Sequence, residues 1–268
     1  MSRLQNSSAD ARSTNPAGRD FSEALARGLA VLGTFSSDSR AMTLSEIARK
    51  LDLPRATVRR ALLTLVHLGY LAEEGRLFRI QPKILELASS YLDTNPISSI
   101  LQPLCERLAT ELDANCSVAV MDQTEALMIA YASPGKSPTY QIRENIGMRL
   151  PAYCSAVGRI LISALPPEER DAFLQNLSPV PLTPFTVTDK QRLSDIFAHT
   201  AETGFCIVEQ EVEIGYCSIA VPLIRRDGVQ VAALNMGTRV EKISSPEKKE
   251  SIIPVLHQAC SEIRNQLL

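Results

Sequence analysis

Positively charged side chains cluster between residues 55 and 60, in a segment with helical spacing. Arg59 and Arg60 lie about half a turn away from the apolar positions, and Arg55 and Thr57 flank them. A guanidinium group can donate two parallel hydrogen bonds to a guanine edge, or it can bind a phosphate. This pattern favours a helix that enters the major groove of DNA. The alternative is a solvated face of an ordinary helical hairpin, and the arginines alone leave both interpretations open.

A second candidate site lies between Gly147 and Arg159, where a strand, a proline and a helix start follow one another. Backbone N–H groups at a helix start favour an anion, and Ser155 can bind a carboxylate. Arg149 is the strongest cationic candidate for that carboxylate, with Arg143 in reserve, because guanidinium and carboxylate meet through two parallel hydrogen bonds. In the alternative interpretation Ser155 only caps its own helix and Arg149 is a surface charge.

The sequence contains no pattern that predicts catalysis or metal binding. The six cysteines include no CxxC pair, and the three histidines share no metal-ligand spacing. Phosphate-binding loops, nucleophile elbows and HExxH motifs are also absent. Cys154 lies near a helix start, which can lower the pKa of a thiol, but the sequence places no histidine beside it. We therefore expect no enzymatic activity, no cofactor and no metal, and we expect reduced, mostly buried cysteines.

The elements around the arginines have the order of a winged helix-turn-helix. Residues 43–46, Thr-Leu-Ser-Glu, form a capping box, and a second helix begins at Pro54 and ends at Gly69. A change to period two then predicts a hairpin that turns at Gly75 and carries Arg76 at its tip. This order favours DNA binding over the solvated hairpin. The buried face of the second helix is predicted to contain Val58, Ala61, Leu62, Leu65 and Leu68.

Composition indicates a globular protein whose two parts differ in charge. Residues 1–82 carry 12 Lys and Arg against 8 Asp and Glu, whereas the remainder carries 16 against 22. A basic front on an acidic body is expected of a DNA reader joined to a domain with another task. No apolar run approaches the length of a membrane span, and the chain start lacks a secretion signal. We expect a cytoplasmic protein without membrane contact.

Periodicity predicts an α+β protein with four regions. They are a disordered leader at 1–18, a winged helix-turn-helix domain at 19–82, a helix at 83–95 and a domain of mixed strands and helices at 96–268. The first helix is expected to open with a capping box at 20–23 and to turn Leu25, Leu29 and Leu32 inward. The last region is predicted to contain strands at 116–121, 126–131, 140–142, 146–150, 205–211, 218–224 and 229–236, and helices at 97–112, 155–165, 167–177, 188–203 and 246–268.

Both halves of the chain resemble one family. TLSEIARKLDLPRATVRRALLTLVHLGY resembles the winged helix of the IclR family of bacterial transcription regulators, and FSEALARGLAVLGTF resembles its first helix. GMRLPAYCSAVGRILISAL is similar to the family's strand-to-helix element, and GFCIVEQEVEIGYCSIAVPL with VAALNMG is similar to its later strands. Within the family, the chain is most similar to the PcaR/PcaU/PobR type, the subgroup that controls aromatic-acid and β-ketoadipate catabolism.

The resemblance implies a DNA-binding transcriptional regulator. It implies that the helix at 83–95 is a linker helix and that 96–268 is a GAF-like effector-binding domain, an antiparallel sheet with flanking helices. It implies a small organic-acid effector, such as protocatechuate, 4-hydroxybenzoate or β-ketoadipate, and control of a catabolic operon. It also implies homodimers that form through the N-terminal domains, homotetramers, and double-stranded operator DNA as partner. The alternatives are an IclR-type regulator of a different small-acid pathway and a DNA-binding adaptor that senses nothing.

The candidate residues form two sets. The predicted DNA-contacting residues are Thr43, Ser45, Arg55, Ala56, Thr57, Arg59, Arg60 and Arg76. The family's effector-contacting positions correspond to Ser155, Ala156, Val208 and Ser218, to which Arg149, Tyr153 and Met236 are added from their chemistry or their placement beside those elements.

Overall fold

The computed structural model describes residues 20–36, 39–94, 96–135 and 145–267. They divide into two compact units, one ending at Tyr91 and the other beginning at Leu92. The predicted leader at 1–18, the strand candidate at 140–142 and Arg143 lie outside the described residues. In the described part of the chain, no helix is both long enough and apolar enough to cross a bilayer.

The N-terminal unit is a winged helix-turn-helix, as predicted. Its strands form a three-stranded antiparallel sheet in the order β1-β3-β2. The hairpin between β2 and β3 is the predicted wing, with Gly75 and Arg76 at its turn, whereas β1 was not foreseen because it is only two residues long. The elements are α1 Glu23–Leu32, β1 Met42–Thr43, α2 Leu44–Lys50, α3 Arg55–His67, β2 Leu71–Glu74 and β3 Leu77–Ile80.

The start of α2 is fixed by the predicted capping box. The Thr43 hydroxyl accepts from the N–H of Glu46 at 3.3 Å, and the Glu46 carboxylate accepts from the N–H of Thr43 at 2.7 Å. Two backbone donors that the helix leaves unpaired are thereby satisfied. The helix leads into a core of side chains that are all buried: Val31, Met42, Ile47, Val58, Leu62, Leu65, Leu71 and Phe78.

The first helix differs from the prediction in its cap and in its buried face. Ser22 caps it by accepting from the N–H of Leu25 at 3.4 Å. Leu25 is 64% exposed and Leu29 is 56% exposed, whereas Val31 is completely buried. Leu68, expected in the face of α3, is also exposed. Helical spacing identifies an apolar stripe but not the surface it packs against, so Leu25 and Leu29 were wrongly assigned to the core, whereas Leu32 packs against it as predicted.

The segment after the wing is helical. A 3₁₀ turn, Pro82–Ile84, leads into α4, Leu85–Thr94, which includes the boundary between the two units. Leu85, Leu87 and Tyr91 are exposed on α4. The next helix, α5, starts at Pro96.

The C-terminal unit is built on a six-stranded, fully antiparallel sheet in the order β6-β5-β4-β9-β8-β7. This confirms the predicted α+β class. Its strands are β4 Asn115–Asp122, β5 Glu125–Ala132, β6 Arg149–Pro151, β7 Cys206–Glu209, β8 Tyr216–Ile224 and β9 Gln230–Arg239. Its helices are α5 Pro96–Leu112, α6 Ala156–Ser163, α7 Pro167–Asn176, α8 Lys190–Thr203 and α9 Pro246–Ile263.

The two faces of this sheet carry different cores, because successive strand residues point to opposite faces. On one face α5 and α9 pack through Leu101, Leu108 and Leu256 against β-strand residues such as Leu234. On the other face α6 packs against alanines and other small residues of the sheet. Helices α7 and α8 pack beside α6, and the rings of Phe173 and Phe197 meet edge to face at 6.4 Å. The candidate effector site lies on the α6 face.

All six cysteines are buried and free. Burial raises the pKa of the Cys154 thiol to about 12, so the lowering that a helix start can produce is not observed. A thiol that stays protonated in a closed core is a packing residue, as the sequence predicted.

Replacement of Thr43 by alanine is expected to lower the unfolding free energy of the N-terminal unit by about 1 kcal/mol, because the cap is lost. Chemical denaturation followed by circular dichroism measures the change. Ser45→Ala is the matched control, since Ser45 is exposed on the same helix and is not its cap. Equal stability of the two variants would contradict the assigned cap.

Candidate functional site

An open groove lies between the start of α2, the exposed face of α3 and the tip of the wing. Arg55 and Arg59 contribute from successive turns of α3, and Arg76 contributes from the wing turn. Ser45 on α2 faces the same groove. The helix-turn-helix sequence and the hairpin thus bring together three of the four arginines predicted to contact DNA. The groove is lined by Thr43, Leu44, Ser45, Arg55, Arg59, Leu63, Glu73, Gly75, Arg76 and Phe78.

These arginines differ in their pairing from several others. Arg27, Arg79 and Arg107 form ion pairs with neighbouring carboxylates on the surface. Within the described part of the chain, no carboxylate lies within ion-pair distance of the four predicted DNA-contacting arginines, which are all exposed: Arg55, Arg59, Arg60 and Arg76. An exposed cation without an internal partner is available to an external anion such as a phosphate.

Two predicted DNA-contacting residues face elsewhere. Arg60 and Thr57 line a separate groove between α1 and α3, although Arg60 is exposed. One residue along a helix turns the side chain by about 100°, which moves Arg60 away from Arg59. Thr43 lines the first groove, but its hydroxyl is engaged in the capping box.

The groove between α1 and α3, which we call the apolar groove, is lined mainly by leucines. The exposed ones are Leu25, Leu29 and Leu68, which helical spacing assigned to the core, and Leu87 of α4, whereas Leu32 is partly buried and Leu65 is buried. The leucines that line it are Leu25, Leu29, Leu32, Leu65, Leu68 and Leu87.

In the C-terminal unit, a narrow cavity lies between the start of α6 and the sheet. The volume that the centre of a water molecule can occupy is about 20 Å³, which is enough for about one water molecule. We call it the α6 cavity. The predicted Ser155, Ala156 and Ser218 line it. The sequence analysis did not single out the other lining residues, which are Leu150, Val157, Val212, Glu213, Tyr216 and Asn235.

Ser155 caps α6 and is 2% exposed. Its hydroxyl donates to the carbonyl of Pro151 at 3.0 Å and accepts from the N–H of Gly158 at 3.3 Å. A Cβ atom at position 158 would overlap the backbone of Ala152, so only glycine lets the 3₁₀ turn Ala152–Cys154 press against the helix start. The capping interpretation of Ser155 is therefore observed, and it fixes the edge of the cavity.

The sheet supplies the floor of the α6 cavity from β8 and β9. Asn235 on β9 lies opposite Ser117 on β4, and its amide nitrogen is 3.4 Å from the Ser117 hydroxyl. Beside it, the phenol of Tyr216 lies against Gly237, where any side chain would collide with the Tyr216 ring. Glycine at 237 thus makes room for an aromatic ring over the sheet. A lone asparagine in the apolar segment VAALNMG is the sequence signal that could have identified Asn235.

A buried ion pair holds the wall of this cavity. Arg159 on α6 and Glu211, two residues after β7, are both nearly inaccessible and meet through two contacts of 2.8 Å. The Arg159 Nε also donates to the carbonyl of Tyr153 at 2.8 Å, and the Glu211 carboxylate accepts from the N–H of Val187 at 2.9 Å. The pair therefore joins four segments. An arginine within the apolar run AVGRILIS is the signal that sequence reasoning passed over.

Arg149 does not line the α6 cavity, so its predicted contact with the effector carboxylate is not part of this site and stays a prediction. Its guanidinium pairs with Asp122 and, at 3.1 Å, with Glu125, on an exposed edge of the sheet. These two carboxylates lie on either side of the β4–β5 hairpin turn, and β6, which carries Arg149, pairs with β5 next to that turn. The guanidinium therefore forms its ion pairs with the carboxylates that are nearest to it.

Met236, Tyr153 and Val208 also lie outside the lining. Met236 packs into the opposite core with α5 and α9, since adjacent β9 residues face opposite ways. The Tyr153 hydroxyl is held by the backbone of Val180. Val208 is buried against α6 but does not reach the cavity.

A winged helix with unpaired arginines, joined to an α+β unit with an interior cavity, defines a DNA-binding regulator with a separate ligand-binding domain. Residues 24–75 match the IclR helix-turn-helix domain. Residues 89–265 match the domain described as "Bacterial transcriptional regulator IclR C-terminal". The chain belongs to the IclR family of transcriptional regulators.

Relatives agree with this assignment. The chain is 34% identical over 248 residues to the Pca regulon regulatory protein of Pseudomonas putida, covering 92% of this chain and 85% of that protein. It is 27% identical to the p-hydroxybenzoate hydroxylase transcriptional activator of Acinetobacter baylyi, over 92% of each. The structure of an IclR homolog from Microbacterium hydrocarbonoxydans, complexed with 4-hydroxybenzoate, matches with a TM-score of 0.76 and 27% identity, over 91% of this chain and 99% of that one.

These comparisons confirm the family and the predicted subgroup. The matched domains and relatives are transcriptional regulators and not enzymes. The predicted class of protein is therefore confirmed for the whole chain, while the contacts of individual residues stay predictions.

Loss of one partner of the buried ion pair is expected to destabilise the C-terminal unit by about 3–5 kcal/mol, because the other charge remains buried and uncompensated. Arg159→Met and Glu211→Leu test this in urea denaturation of the full chain. The double variant should lose less stability than either single variant. Arg107→Met, which removes an exposed pair with Glu262, is the control and should cost less than about 1 kcal/mol. Additive effects in the double variant would show that the pair is not coupled.

Proposed function

We propose that the chain binds operator DNA in the cytoplasm through α3 and the wing. The observation that carries this proposal is the set of exposed arginines without internal partners around one groove. Arg55 and Arg59 point from the same side of α3, so both can reach the major groove when the helix lies in it. Arg76, at the wing turn, is placed to contact the phosphate backbone beside the helix.

Base reading and backbone binding are divided along α3. Arg59 is followed one turn later by Leu63, which is exposed in the same groove. A guanidinium suits a guanine edge, and an apolar side chain suits the methyl group of thymine. Arg60 faces away from this pair, and we assign it to a phosphate at the side of the groove.

We further propose that two chains bind together. A single winged helix covers little DNA, and a useful specificity normally requires two half-sites. The apolar groove supports a homodimer, because exposed leucines such as Leu25 and Leu29 are costly to leave in water and fit a second copy of the same surface. Pairing of such dimers would give the homotetramer.

The α6 cavity is the proposed effector site. It lies at a helix start, where N–H groups favour an anion, and one relative's structure contains 4-hydroxybenzoate. We infer an aromatic acid such as protocatechuate or 4-hydroxybenzoate, or β-ketoadipate, as the effector of a catabolic operon. The cavity now has room for about one water, so side chains must move when an acid enters. Tyr216, partly exposed over Gly237, is the wall residue best placed to do so.

The effector would act by changing populations. A ligand shifts a conformational equilibrium only through a difference in its affinity for the two states. A closed cavity and an expanded, acid-filled cavity are two such states. We propose that expansion moves α6 and the segments tied to it by the Arg159–Glu211 pair, and that DNA binding responds to that change.

Arg59→Ala is expected to weaken operator binding by about tenfold or more and to relax preference at one base pair, because a base contact is lost. Arg60→Ala should weaken binding less, equally for all sequences, and lower the salt dependence. Fluorescence anisotropy against a duplex selected from a random pool measures both. Arg107→Ala, which removes an arginine already paired with Glu262 in the C-terminal unit, is the control. Unchanged affinity in Arg59→Ala and the Arg59/Arg60 double variant would contradict the groove assignment.

Leu25→Glu combined with Leu29→Glu is expected to convert the dimer to monomers at micromolar concentration, since like charges would face each other across the apolar groove. Analytical ultracentrifugation measures the mass. Val229→Glu is the matched control, because Val229 is also exposed but lies in a turn of the C-terminal unit. A double variant that remains dimeric would place the dimer contact on another surface.

A further inference from the structure

The floor of the α6 cavity contains a buried amide with an unused acceptor. Asn235 is 3% exposed and lines the cavity. Its Nδ2 donates to the Ser117 hydroxyl at 3.4 Å. Within the described residues, Asn235 Oδ1 is the buried side-chain oxygen that has no hydrogen-bond partner. A buried acceptor without a donor is costly to keep, so its presence in a cavity points to a ligand that supplies the donor.

The strand neighbours of Asn235 supply no side-chain donor for this oxygen. The residue sits on the central strand β9, between Ser117 of β4 and Ala220 of β8. Its neighbours on the same face of β9 are Ala233 and Gly237, which carry little or no side chain. Ala220, Ala233 and Gly237 offer the amide no side-chain hydrogen bond, and the Ser117 hydroxyl accepts from its nitrogen.

The start of α6, which also lines the cavity, has the chemistry for a carboxylate. The N–H groups of its first turn, at Ala156 and Val157, have no partner within the helix. Among the described residues that line the cavity there is no Arg or Lys. A carboxylate would therefore be held by backbone N–H donors at the start of α6, whereas the Asn235 amide oxygen on the sheet requires a hydrogen-bond donor.

We propose that Asn235 selects effectors that carry a hydroxyl group, whose O–H donates to Oδ1 while the acid group of the same molecule accepts from the start of α6. This inference rests on the proposed effector site and narrows its ligand to hydroxylated aromatic acids. A keto diacid such as β-ketoadipate presents carboxylates and a ketone, which are all acceptors at neutral pH. It would leave the Asn235 oxygen unpaired and is excluded as the preferred ligand.

Isothermal titration of the full chain with matched benzoates tests the proposal. 4-Hydroxybenzoate offers a donor, 4-methoxybenzoate offers only an acceptor at the same position, and benzoate offers neither. The wild-type chain is expected to bind 4-hydroxybenzoate at least about tenfold more tightly than the other two and than β-ketoadipate. In Asn235→Leu the preference for the hydroxyl should fall to within about twofold while benzoate still binds.

Two further variants keep the test decisive. Asn235→Ser shortens the side chain with little strain and should also lose the preference for the hydroxylated benzoate. The proposal can therefore still be tested if the leucine variant fails to fold. Asn176→Leu, on the exposed end of α7, is the matched control and should bind like the wild type.

Three results would overturn the inference. Equal or tighter binding of 4-methoxybenzoate would mean that the amide presents its nitrogen to the ligand. A hydroxyl preference that survives in both Asn235 variants would place the reading group elsewhere. Failure of every benzoate to bind the wild type would instead overturn the proposed aromatic-acid response itself, and thermal-shift binding of another acid would show that case separately.

Discussion

The effector half of this protein depends on one buried ion pair. Removing the charges of Arg159 and Glu211 from water costs free energy. This cost is offset only because the two groups pair with each other and each also forms a hydrogen bond with the backbone. The arginine holds α6 to the turn before it, and the carboxylate holds the segment around Val187. Thr186 donates to the Glu211 carbonyl at 2.6 Å and strengthens the same junction. Val212 and Glu213, which follow directly, line the cavity, so the pair sets where the cavity wall lies relative to the helix start.

Arginine has opposite roles in the two units, and its partners decide which. In the N-terminal unit the arginines of α3 and the wing turn are exposed and have no carboxylate within ion-pair distance in the described part of the chain, which leaves their charge for an external polyanion. In the C-terminal unit, Arg149 and Arg159 are both occupied by carboxylates of their own chain. Residue type and spacing cannot distinguish these cases, because the partner of Arg159 is 52 positions away.

The features that were predicted correctly from the sequence are those that depend on residues close together in the chain. The capping box at Thr43, the wing turn and the class of nearly every element follow from hydrogen bonds and periodicities within a few residues. The faces of α1 could not be predicted, since a leucine stripe is the same whether it meets its own chain or a second one. In the cavity, strand alternation places Asn235 and Gly237 inward and Met236 outward, but which face of β9 meets α6 is a property of the assembled sheet. The same alternation explains why Met236 was predicted to contact the effector although its sequence neighbour Asn235 is the residue that lines the cavity.

The small volume of the α6 cavity bears directly on regulation. A site already shaped for its ligand would gain affinity but transmit little, because binding would favour both states of the protein equally. Here the polar groups that can recognise an acid are in place, namely the start of α6 and the Asn235 amide, whereas the space for an aromatic ring is not. If an acid binds there as proposed, part of its binding energy is used to displace wall residues such as Tyr216. Val212 and Glu213, which also line the cavity, directly follow Glu211, so their displacement would act on the segments that the Arg159–Glu211 pair joins.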